Sequence, residues 1–127
     1  MAVKRDAADV GFSKAVRARA GKCLHKSRTD ALECVHIYGR RAKILRWDMC
    51  NAVTLTHSSH RYFTENPIAF HDWLVMTLGE GHMEILREKS QGHMKTNEAL
   101  RKEIAKHYRE EFRKKESDPE YVIISYT

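Results

Sequence analysis

The chain has 127 residues, of which 42% are hydrophobic and 31% charged, with only six Gly, two Pro and three Cys. That size fits one domain with a modest core, and the balance excludes a disordered chain, a collagen-like one and a many-turned β sandwich. The net charge of +6 favours an acidic partner surface, a nucleic acid or an anionic membrane, and says nothing about fold. No apolar stretch reaches the roughly 20 residues of a membrane-spanning helix, and an all-α fold is expected.

The basic excess is N-terminal. Residues 1–46 hold 12 Lys and Arg against 4 Asp and Glu, whereas residues 47–100 hold 4 against 7. Segment 1–20 places Lys4, Arg5, Lys14, Arg17 and Arg19 around Val10, Phe12 and Val16, the pattern of a basic N-terminal arm that forms a short amphipathic helix or lies extended along a partner. No apolar region follows its positive start, so no cleaved secretory signal is expected.

After Gly21, the positions of Leu24, Ala31, Cys34, Val35 and Tyr38 predict a helix ending at Gly39. Ile44, Leu45, Trp47, Met49 and Ala52 predict a second helix, to about Tyr62. The short link at Gly39 to Arg41 makes segment 21–62 an antiparallel helical hairpin. Asn66 and Pro67 read as a cap and first helical residue, opening an apolar helix with Phe70, Trp73 and Leu74 before Gly79 and Gly81 interrupt it, so segment 63–95 is an apolar helix plus connector. Segment 96–127 starts with a cap at Thr96 or Asn97. It continues as a charged helix through Leu100, Ile104, Tyr108 and Phe112, stops at Pro119, and leaves an extended, β-prone tail from Tyr121 to Tyr126.

Cys23 and Cys34 stand eleven positions apart, on one face of a helix but roughly 16 Å from each other, so they cannot bond within it. Ala20-Gly21-Lys22-Cys23, Ala31-Leu32-Glu33-Cys34, and Cys50 with His60 ten positions later resemble the twin-cysteine hairpins of the coiled-coil-helix-coiled-coil-helix proteins. The similarity is greatest to small accessory subunits of mitochondrial respiratory complex I. The resemblance implies a disulfide between Cys34 and Cys50, with Cys23 left reduced beside His60. It also implies an intermembrane-space location at the inner membrane and a structural role in a large assembly. Three cysteines at helical spacing also fit a plain core role. Zinc pairs from Cys23 with His25 and Cys34 with His36 fail, because helical neighbours two apart diverge by about 200°.

His60, His71, His82 and His93 recur every eleven residues, roughly 16 Å apart on a helix and too far to share a metal. His57 and His60 share a helical face, but the sequence places no carboxylate near them. Ile85-Leu86-Arg87, with Tyr108 to Arg113 and Asp118-Pro119, is similar to the mitochondrial Leu-Tyr-Arg motif proteins, which bind an acyl carrier protein.

These readings lead to a non-catalytic accessory subunit of a respiratory complex, without cofactor or metal. It would hold neighbouring subunits through Arg17, Arg19, Arg40, Arg41, Phe70 and Trp73, with anionic lipid as a further contact. No set of nucleophile, base and orienter is visible, so no enzymatic activity is expected. The alternative is an RNA-binding subunit of the mitochondrial ribosome or another nucleic-acid-binding protein. In that case Lys4, Arg5, Arg17, Arg19, Lys22, Arg40, Arg41, Lys43 and Arg46 would contact phosphates.

Overall fold

Asp6 opens the first helix through a reciprocal cap: its carboxylate accepts the Asp9 N–H at 3.0 Å, and the Asp9 carboxylate accepts the Asp6 N–H at 2.9 Å. Helix α1, Ala7–Ala20, ends at Gly21, whose φ of 67° is the left-handed conformation that favours glycine. A computed structural model describes residues 4–127, so the first three residues of the expected arm lie outside the described residues. The remainder is a core helix rather than an arm. Ala8, Phe12, Ala15 and Val16 are buried against Ile104, Ala105 and Tyr108 of the last helix, α6, Glu98–Ser117. Burying a side chain of Phe or Val size contributes about 1.5–3 kcal/mol, enough to hold α1 onto the domain whatever its surface charge.

Segment 21–62 does not form the expected helical hairpin; its centre is a pair of strands. Strand β1, Leu32–His36, pairs antiparallel with β2, Ala52–Thr56, so that Cys34 faces Thr54 and Val35 faces Val53. The connection holds a one-turn helix α2, Lys43–Arg46, and a 3-10 turn, Met49–Asn51; helix α3, His57–Glu65, follows β2 directly. The two expected helices fail for local reasons. Ser27 and Ala31 take positive φ angles of 57° and 50°, outside the right-handed helical region. Asp48 accepts the Cys50 N–H at 2.8 Å. The Asn51 side chain accepts the Tyr38 N–H and donates to the Tyr38 and Leu45 carbonyls, so side chains satisfy backbone groups that a helix ladder would otherwise take.

The sheet separates two cores. Cys34 and Ala52 pack with the α1 and α6 cluster, where the His36 ring lies 5.4 Å from that of Phe12. Val35, Val53 and Leu55 join Cys23, Phe63 and Leu74 in the second cluster, which α3 and helix α4, Pro67–Leu78, cover. Phe70 and Trp73 pack against that cluster, with the Trp73 ring 5.1 Å from Phe63, so they are half-buried and not displayed as expected. Pro67 does open α4, although the Asn66 amide donates to the Tyr62 carbonyl at 2.8 Å and makes no cap. The expected connector is largely helical: Gly79 takes a φ of 95° and the chain resumes as α5, Glu80–Ser90.

Asn97 caps α6 by accepting the Leu100 N–H at 2.8 Å. The tail after Pro119 folds back on its own helix, with the Ile124 N–H on Glu111 at 2.7 Å, the Tyr126 N–H on the Tyr108 hydroxyl at 3.0 Å and Ile123 buried. The fold is therefore mostly helical with one small sheet, and no described helix is long and apolar enough to cross a membrane. The buried Tyr108 hydroxyl also donates to the Trp47 carbonyl, joining α6, the hairpin connection and the tail. Replacing Tyr108 by Phe leaves that buried carbonyl unpaired and is expected to cost about 1–3 kcal/mol in urea unfolding. Faster amide exchange at Tyr126 would accompany it, and unchanged stability would show the hydroxyl to be dispensable.

Candidate functional site

Arg5, Asp9, Ser13 and Arg17 follow one another at four-residue intervals, so they stand along one side of α1 and its entry. Across from them run all five residues of β1, followed by Gly39 and Arg40, with His60 of α3 at one side. Together these residues line an open cleft of about 600 Å³.

Two carboxylates lie in it, and both are engaged. Asp9 takes two hydrogen bonds from Arg46, at 2.9 and 2.5 Å, and lies 3.8 Å from Arg40. Burial pushes the Asp9 carboxyl up, but the hydrogen bonds from Arg46 and from the Asp6 backbone hold it below its ordinary value. Glu33 sits between two imidazoles, accepting from His57 Nδ1 at 3.0 Å and from His60 Nδ1 at 2.8 Å. Its carboxyl is lowered too, since those hydrogen bonds outweigh a burial effect of opposite sign. The cleft thus holds three guanidinium groups, Arg5, Arg17 and Arg40, the last within ion-pair distance of Asp9, against two carboxylates whose main partners are Arg46, His57 and His60. Its other histidine, His36, donates from Nε2 to the Arg46 carbonyl at 2.9 Å, and burial lowers its pKa, so it stands neutral.

The sequence candidates divide. Arg17 and Arg40 meet in the cleft. Arg19 does not: it clamps the hairpin by donating to the carbonyls of Met49 and Ala52, at 2.7 Å each. Arg41, Lys22 and Lys43 are exposed outside the cleft lining, whereas Arg46 is buried in its ion pair. Cys23, Cys34 and Cys50 are free thiols, which corrects the expected bridge between Cys34 and Cys50. Strand pairing puts Thr54, not Cys50, opposite Cys34, and Cys50 is the exposed residue of an otherwise buried 3-10 turn before β2. Burial pushes the Cys34 thiol up to about 12 in spite of the arginines around it, so it stays a protonated thiol near neutral pH. Cys23 lies by Thr56 and Ser59, at 3.9 and 3.8 Å, with the Lys26 N–H on its sulfur.

Glu33 is the site residue that the sequence reading missed. Twenty-seven positions separate it from His60, and only the register of β1 on β2 brings it to the start of α3. Of the histidine series at eleven-residue intervals, only His60 lines the cleft, and His82 instead contacts the Cys50 carbonyl at 2.7 Å. Among the described residues no group of three or more His, Cys, Asp or Glu is placed to hold a metal ion. No protein-family model, curated protein or solved structure matches the chain.

The Asp9 geometry fixes a pH dependence. A carboxyl with a lowered folded pKa contributes stability that is present above its unfolded value, near 3.8, and is lost as pH falls through the folded one. Melting temperature should therefore fall steeply below about pH 4. Asp9→Asn should cost about 3–5 kcal/mol at pH 7, because it strands the buried Arg46, and should flatten that acid limb. A variant that melts like the parent at both pH values would contradict this.

Proposed function

We propose that the chain is a nucleic-acid-binding protein that takes the phosphate backbone in the cleft between α1 and β1. The observation that carries this reading is the convergence of Arg5, Arg17 and Arg40 on one cleft whose two carboxylates are already engaged. Guanidinium forks match phosphate oxygens, and such contacts position a strand without reading its sequence. The accessory-subunit reading drew on a twin-cysteine helical hairpin, and here that segment is a pair of strands with free thiols. The Leu-Tyr-Arg likeness loses its anchor as well, since Leu86 is buried in the domain.

Affinity for an oligonucleotide should fall log-linearly with salt. Arg17→Ala and Arg40→Ala should each weaken binding uniformly across sequences and reduce the magnitude of the log–log salt slope by about 1. Fluorescence anisotropy at several salt concentrations measures both. Salt-independent binding, or slopes unchanged in the two variants, would remove the phosphates from this cleft.

A second reading rests on one distance. His60 Nδ1 lies 2.8 Å from Glu33, an orienting carboxylate that leaves Nε2 free as a general base. A phosphodiester held by the arginines would then be attacked by water: His60 takes the proton, the water oxygen bonds to phosphorus, and one ester P–O bond breaks with its electron pair on the departing oxygen, which gains a proton from solvent as His60 returns its own to solvent. On this reading an end-labelled oligonucleotide is cut, with loss of cutting in His60→Ala and retained binding. Binding without cutting leaves the chain a binder.

A further inference from the structure

The hydrogen-bond pattern of β1 shows which of its edges is open. His57 donates to the Ala31 carbonyl and Ile37 to the Asn51 carbonyl, at 2.9 and 2.8 Å, so odd-numbered residues of this segment carry the ladder to β2. Leu32, Cys34 and His36 therefore direct their N–H and C=O groups to the opposite side, where none of them meets a partner among the described residues. The outer edge of β2 is treated differently. Its Ala52 carbonyl takes Arg19 and its Thr54 carbonyl takes the Leu24 N–H at 3.0 Å. One edge is closed and the other lines the cleft.

We propose that the open edge of β1 receives an extended acidic segment of a partner protein as a third strand of the sheet. An edge that offers N–H and C=O at each of residues 32, 34 and 36 repeats about every 6.8 Å, the two-residue repeat of a polypeptide strand. A phosphate backbone carries acceptors only and would leave the three carbonyls unpaired, whereas a peptide satisfies both kinds of group. Charge selects the sequence of the guest. Side chains leaving the added strand on the α1 side meet Arg5 and Arg17, and Arg40 stands at the end of the cleft, so Asp or Glu at alternate positions is complementary. A second copy of this chain fits poorly, because pairing β1 with β1 brings two sets of these arginines together. The chain's own tail is held on α6 by Glu111 and Tyr108. The guest shares the cleft with the proposed phosphate site, but its binding does not depend on nucleic acid.

The test uses the full chain and the peptide Thr-Glu-Val-Glu-Thr-Glu-Val-Glu, with analogues N-methylated at alternate residues in either register. Charge is identical in all three, so only strand pairing distinguishes them. The parent peptide should bind, one N-methylated analogue should bind about tenfold or more weakly, and amide exchange at Leu32, Cys34 and His36 should slow in the complex. Arg17→Ala should weaken the parent peptide without altering the contrast between analogues. Equal affinity of all three peptides, unchanged exchange at those amides, or no binding would each overturn the inference. Oligonucleotide binding is measured separately: a chain that holds the peptide but no oligonucleotide keeps the strand-addition site and loses the nucleic-acid reading.

Discussion

The buried ion pair of Asp9 with Arg46 is the constraint on which the arrangement depends, because it ties α1 to the connection of the strand hairpin. Both side chains are almost fully removed from water, at 3% and 5% exposure, and removing one partner of such a pair leaves an uncompensated charge. Asp9 has several duties at once: it completes the reciprocal cap with Asp6, accepts the Arg46 fork and lies near Arg40. The Arg46 guanidinium in turn donates to the Lys4 carbonyl and stacks 4.9 Å over Trp47. The start of α1, the centre of the hairpin connection and the cleft wall thus share one electrostatic joint. Its net worth against a hydrophobic replacement can be small, yet the cost of an unpaired charge makes alternative registers unfavourable.

The cleft follows from a shortage of strands. A two-stranded sheet has two edges, and its faces here are covered by α1 on one side and α3 with α4 on the other. Covering the faces leaves the edges to be managed separately. Arg19 and the Cys23 turn close the β2 edge, and among the described residues nothing equivalent reaches β1. Charge does the protective work there instead, since cationic groups beside an exposed edge discourage indiscriminate pairing while admitting anions. Glu33 serves the same end by holding His57 and His60 at the start of α3, fixing the far side of the cleft.

Legibility from sequence followed the strength of local signals. Pro67 after Asn66, and Asn97 before a charged periodic run, mark helix starts by backbone chemistry that needs no tertiary context, and both helices are present. The helical hairpin expected over 21–62 is absent: two short strands pair there, and their connection runs through α2 and a 3-10 turn instead of turning at Gly39 to Arg41. Leu24, Ala31, Cys34, Val35 and Tyr38 fit a helical stripe about as well as a strand, and pairing with β2 decides the matter at long range. The run Ala52-Val53-Thr54-Leu55-Thr56 holds three β-branched residues and alternates apolar with polar from Val53 to Thr56, the period-two signal of a strand. The expected arm is instead a core helix, because net charge does not report exposure and Ala8, Phe12, Ala15 and Val16 trace a buried face.

Helix α1 presents its apolar face to α6 and its Arg5, Asp9, Ser13 and Arg17 side to the cleft, so one amphipathic element supplies both part of the core and the ligand-facing wall. Gly11 faces α6, where an added Cβ would stand in ordinary van der Waals contact with Tyr108 and the Ala105 carbonyl, at 3.5 and 3.6 Å. The position of Arg17 is thereby set by core packing of its helix, and little backbone ordering entropy remains there to oppose ligand capture. The same rigidity limits what the cleft can take. With its walls fixed by α1 and α3, it suits an extended chain laid along β1 better than a bulky folded partner, and a strand of polypeptide or a single phosphate backbone meets that condition.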